Sequence, residues 1–140
     1  MKKLSIAFVL LALSLVAAGC GSGAIADTGK TIKSAGVGNN LTATLSNTEG
    51  VLKHGDAEFF LTFKDASAKP VEVGAVALNF QMPAMGTMPA MNNAATFTST
   101  GSPGVYRGKV KLESAGDWLA LISYEGAAGK GKSPLTVTAQ

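Results

Sequence analysis

Four methionines, Met82, Met85, Met88 and Met91, fall within the ten residues MPAMGTMPAM, and apart from Met1 they are all the methionine in the 140-residue chain. Thioether sulfur is a soft donor that favours Cu(I) over hard cations, so four of them at a strict three-residue spacing point to a copper site. Thioethers carry no titrating proton and form no disulfides, which suits metal binding outside the cytoplasm, where thiols tend to be oxidised. Oxidation to the sulfoxide would end that softness. Pro83 and Pro89 remove amide donors and disfavour a helix, so the segment is expected on a loop or an extended edge. In a polyproline-like conformation of about 3.1 Å rise and three residues per turn, positions i and i+3 point the same way roughly 9 Å apart. All four sulfurs would then face one side, and Gly86 would let the loop curl around a single ion. The alternative is that the methionines fill a gap or form an adaptable apolar contact for a protein partner, with no metal involved.

Other ligand types are scarce. His54 is the only histidine and lies in the turn-like Lys53-His54-Gly55-Asp56. It reads first as an exposed turn residue, and as a metal ligand if the fold brings it to the methionine loop, where its nitrogen would admit Cu(II). Cys20 is the only cysteine, which excludes an intrachain disulfide and a thiolate cluster. No nucleophile stands beside a base and paired carboxylates at a recognisable spacing. Glu58, Asp65, Glu72 and Asp117 sit at strand or turn positions typical of solvated surface, so the chain is expected not to be an enzyme.

Residues 1–19 have the form of a secretion signal, with Lys2 and Lys3, an apolar run over residues 4–16, and small residues up to Gly19. A transmembrane helix needs a longer run. Ala17-Ala18-Gly19-Cys20 resembles a lipobox, with alanine where leucine is more usual; the alternative is ordinary signal cleavage near Ala18 or Gly19. A lipidated Cys20 would spend the one thiol and, carrying several acyl chains, would hold the mature chain stably on a membrane. Gly21 follows it rather than aspartate, which by resemblance to lipoprotein sorting favours the outer membrane where the cell has one. The expected location is the cell envelope, facing the periplasm or the exterior. Without Lys2 and Lys3 the count is 12 − 2 = 10 basic against 9 acidic residues. The lysines are scattered without interleaved aromatics, so nucleic acid is not an expected partner.

Residues 20–40 are mostly Gly, Ser, Ala, Thr and Asn after the cysteine, the composition of a flexible tether. Residues 41–140 suffice for one domain with one core. They consist of short alternating runs broken by Gly, Pro, Asn and Asp. In AEFFLTFK, Phe59, Leu61 and Phe63 alternate with Glu58, Thr62 and Lys64, Phe60 being the exception. In VYRGKVKL, Tyr106, Val110 and Leu112 share one face and Arg107, Lys109 and Lys111 the other. Residues 41–46, 71–80, 96–100, 118–124 and 135–139 bring the total to about seven strands, which predicts an all-β, immunoglobulin-like β-sandwich. A small β-barrel is the structural alternative.

From about Leu52 to Ala139 the chain resembles the YtkA-like domain family, related to FixH-like proteins. The matching features are the strand ending in Lys64-Asp65, the Pro70-Val71 turn, Met82-Pro83-Ala84-Met85-Gly86, Pro103-Gly104-x-Tyr106 and Gly116-x-Trp118. The resemblance implies a small exported or membrane-attached β-sandwich accompanying copper handling, heavy-metal efflux or cytochrome oxidase assembly. Met82 and Met85 are the shared motif it implies, extended here by Met88 and Met91. Gly104, Tyr106, Gly116 and Trp118 are expected to serve the fold, with shielding of a Cu(I) site as the alternative for Trp118. The expectation is thus a lipid-tethered copper-binding domain that buffers Cu(I) or passes it to a receiving, efflux or oxidase-assembly protein.

Overall fold

Alternation of apolar and polar residues builds nine strands in the computed structural model, which describes residues 27–140. They are β1 (Lys30–Gly38), β2 (Leu41–Asn47), β3 (Gly55–Lys64), β4 (Ala75–Met82), β5 (Met91–Ala94), β6 (Thr96–Ser99), β7 (Val105–Leu112), β8 (Gly116–Gly126) and β9 (Gly129–Ala139). One sheet has the order β1-β2-β3-β7-β6 and the other β5-β4-β8-β9, and every neighbouring pair is antiparallel. The inner faces meet in a sandwich core holding Phe59, Phe63, Phe80, Trp118, Leu45, Leu61 and Ile122, all at most 1% exposed. Phe59 packs edge-on against Phe80 across the sheets at 6.0 Å between ring centres, an arrangement the aromatic quadrupole favours.

The expected all-β sandwich is present, with two strands more than the sequence suggested. One is β1, which occupies much of the segment read as tether: the sandwich begins at Lys30 rather than Leu41. Asn39 and Asn40 both take positive φ, 54° and 56°, as a two-residue type I′ hairpin turn requires, and this folds β1 back onto β2. Only Val37 of β1 is buried, so the strand carries little apolar pattern. The other is β5, a four-residue edge strand that starts at Met91, the last residue of the methionine segment. Residues 1–19, expected to be a secretion signal, and Cys20 lie outside the described residues.

The registers fix which loops share an end of the sandwich. Gly55 pairs with Leu112, Gly116 with Ala139, Lys30 with Asn47 and Met82 with Met91. One end therefore carries the start of β1, the β2–β3 loop with His54, the β4–β5 loop, the β7–β8 loop and Gln140. The opposite end carries Asn39-Asn40, residues 65–74, residues 100–104 and Ala127-Ala128. A shallow depression lined by Ile32, Lys33, Val51, Thr136 and Gln140 confirms that the base of β1 sits beside the end of β9.

Candidate metal centre

The methionine segment is a hairpin. Met82 faces Met91 in the ladder between β4 and β5, and beyond it Met85 and Met88 form a further antiparallel bridge. Met85 and Met88 exchange both main-chain hydrogen bonds, at 3.1 and 2.9 Å. The two pairs lie on one register about an axis between Gly86 and Thr87, so the repeated MPAM straddles the turn symmetrically. Pro83 and Pro89 interrupt the ladder between the pairs because neither has an N–H to give. Gly86, with φ 55°, occupies the first central position of the two-residue turn, where a type II′ hairpin takes glycine.

This geometry replaces the polyproline-like arrangement expected from the three-residue spacing. Three is an odd step along an extended chain, so successive methionines turn to opposite faces. Met82 points into the core at 2% exposure and Met91 packs half-buried against that core, whereas Met85 and Met88 are 56% and 44% exposed. The four sulfurs do not share one side. Met82 is further engaged: the Ser114 hydroxyl donates to its sulfur at 3.5 Å, and the Trp118 indole N–H donates to the Ser114 carbonyl at 3.1 Å. Sequence reasoning missed Ser114, whose position in a turn before Gly116 gave no sign of this contact. Trp118 is fully buried and serves the fold beneath the hairpin's base.

Met85 and Met88 are thus the accessible soft donors. In a hydrogen-bonded antiparallel pair the side chains leave the same face from Cα atoms about 5.5 Å apart, and two long, flexible thioethers can converge from there on one ion. Two sulfurs suit a soft monovalent metal of low coordination number, and Met91 at the hairpin base is the nearest further thioether along the strand. Among the described residues no three His, Cys, Asp or Glu side chains group as a metal site.

His54 lies at the same end of the sandwich as the hairpin, but on the other sheet. Its main-chain N–H donates to the Gln140 oxygen at 2.8 Å, and its ring Nδ1 lies 2.9 Å from the same atom. With Nδ1–H donating there, Nε2 carries the lone pair and faces away from Gln140, the tautomer a metal ligand needs.

The perturbed carboxylates lie elsewhere. On the outer face of β3 and β7, Glu58 accepts from Arg107 at 2.7 Å and Lys109 at 2.9 Å, which holds its carboxyl at about 2. At the end opposite the hairpin, the Tyr106 hydroxyl donates to Glu72, which also accepts from the Gly104 N–H at 3.2 Å. The tyrosine's bond keeps Glu72 below the usual carboxylate range, while burial and the carboxylate push Tyr106 up to about 12. Gly104 has φ 71° and lies so close to Val71 that a Cβ would come within 2.6 Å of its carbonyl oxygen, so glycine is needed to close this corner. The first set of contacts joins neighbouring strands, and the second ties two loops to β7.

Residues 37–120 match the profile of a family described as YtkA-like. No curated protein and no solved structure matches the chain.

Proposed function

The chain belongs to the YtkA-like family, and from that premise we propose that it is a membrane-tethered, extracytoplasmic domain that binds Cu(I) through the tip of its methionine hairpin and buffers it or hands it to a partner. The observation that carries this reading is the cross-strand pair Met85 and Met88, two soft donors on one face of an exposed turn. Their partner at the base, Met91, is the third candidate ligand; Met82 supports the hairpin from the core, and His54 is a candidate only for a harder Cu(II) state. Lipid on Cys20 would hold the domain on the envelope membrane, and receiving, efflux or oxidase-assembly proteins are the partners this chemistry suits. The role is that of a carrier and not of an enzyme. X-ray absorption at the copper edge tests the ligand set: the reading expects two or three sulfur scatterers and no nitrogen for Cu(I). A nitrogen- or oxygen-dominated shell would contradict it.

A second reading has its own support. Met85 and Met88, with Leu119, are the exposed large hydrophobic side chains among the described residues. Two of three fall on one turn, as an apolar protein contact would need. In that case replacing both methionines with leucine would preserve partner binding, since apolar area is kept, whereas under the copper reading the same change would abolish metal binding.

A further inference from the structure

The sandwich begins ten residues after Cys20, at Lys30, and not at Leu41. Whatever their conformation, ten residues span at most about 35 Å. The strand that starts there does so at the end of the sandwich that carries the methionine hairpin and His54, because Lys30 pairs with Asn47 and the hairpin leaves β4 at Met82. Lys30 and the hairpin stand at opposite edges of that end, β1 at one margin of its sheet and β5 at one margin of the other. The ten-residue β3 runs nearly the height of the sandwich, roughly 33 Å at the usual strand rise. Turning the domain over, so that the opposite end met the bilayer, would therefore demand an almost fully extended connection.

We propose that the methionine-bearing end is the bilayer-facing end of the tethered domain. The inference rests on the lipid anchor of the proposed function and not on its metal chemistry.

The test uses the full lipidated chain, without copper, in vesicles of phosphatidylethanolamine and phosphatidylglycerol carrying a headgroup-attached quencher. A fluorophore is placed on Thr87→Cys at the hairpin tip, or on Ala127→Cys or Ser67→Cys at the far end; all three positions are exposed turn residues. Quenching should be stronger at position 87 than at either far position, by about twofold or more for ends some 30 Å apart. Inserting about twenty Gly/Ser residues ahead of Asp27 should erase the difference, since the connection would then reach well beyond the domain's height. Equal or reversed quenching, a difference that survives the insertion, or a mature chain with no lipid on Cys20 would overturn the proposal. Because no metal is present, failure here leaves Cu(I) binding standing, and failure of Cu(I) binding leaves the orientation standing.

Discussion

At the residue scale the four methionines divide into two kinds, and the division yields opposite expectations. Met82 is a core residue, so Met82→Ala should cost about 2–5 kcal/mol of stability by chemical denaturation, while Met82→Leu should cost under about 1.5 kcal/mol and leave copper affinity nearly intact. Met85 and Met88 are exposed, so replacing them should leave the melting curve unchanged. Because thioethers have no proton to lose, Cu(I) affinity should stay flat between about pH 6 and 8. An affinity rising with pH through the histidine range, and flattened in His54→Ala, would instead place His54 in the Cu(I) site. The pair Glu72 and Tyr106 makes a separate prediction. Glu72 titrates below its ordinary value of 4.5, so its contribution is present above that pH and lost as pH falls through the lowered value. Tyr106 titrates at about 12 rather than 10.0, so its contribution is complete below pH 10 and lost as pH rises through 12. Denaturation of the wild type and Glu72→Gln across pH should show a larger acid-side loss in the wild type, by less than about 1 kcal/mol because the carboxylate is largely solvated, over a loss common to both that comes from Glu58, which is also held low.

At the element scale the hairpin depends on its turn. Gly86 would meet no neighbouring atom if given a side chain, but its φ of 55° is one that β-branched residues resist. Gly86→Val should therefore strain the tip by about 1–2 kcal/mol, lowering the melting temperature by several degrees and Cu(I) affinity roughly tenfold. Gly108 is the converse: a Cβ there would lie 2.4 Å from the Phe59 ring. Gly108→Ala should cost about 1–3 kcal/mol by overpacking, measured by denaturation, with copper affinity unchanged. Elements with a clear period of two, such as β7 with Val110 and Leu112 inward and Lys109 and Lys111 outward, were legible from sequence because burial follows their alternation. β1 was not, since one buried residue in nine leaves no pattern, although Asn39-Asn40 was a hairpin signal inside the supposed tether. The methionine segment was misleading as geometry. Its period of three matched a polyproline spacing, yet the Gly-Thr centre between the two MPAM copies marks a hairpin, in which the period of two decides the facing.

At the scale of the whole molecule, the sandwich places at one end the hairpin, His54 and the first residue of β1, a grouping that only the strand registers reveal. β1 also closes the sheet beyond β2. A chain beginning at residue 41 should expose the β2 edge and melt at least several degrees lower, since about 1 kcal/mol shifts a domain of this size by 4–8 °C. Under the proposed function this fold displays a two-sulfur copper site at its tip. The measurement that tests it most directly is Cu(I) titration of residues 21–140 against a competing chromophoric ligand, for the wild type, Met82→Leu and Met85→Leu/Met88→Leu. One tight equivalent in the first two, weakened about 100-fold or more in the double variant (roughly 2.7 kcal/mol) with its fold intact, is the predicted result. Equal binding in all three proteins, or none in the folded wild type, would contradict it.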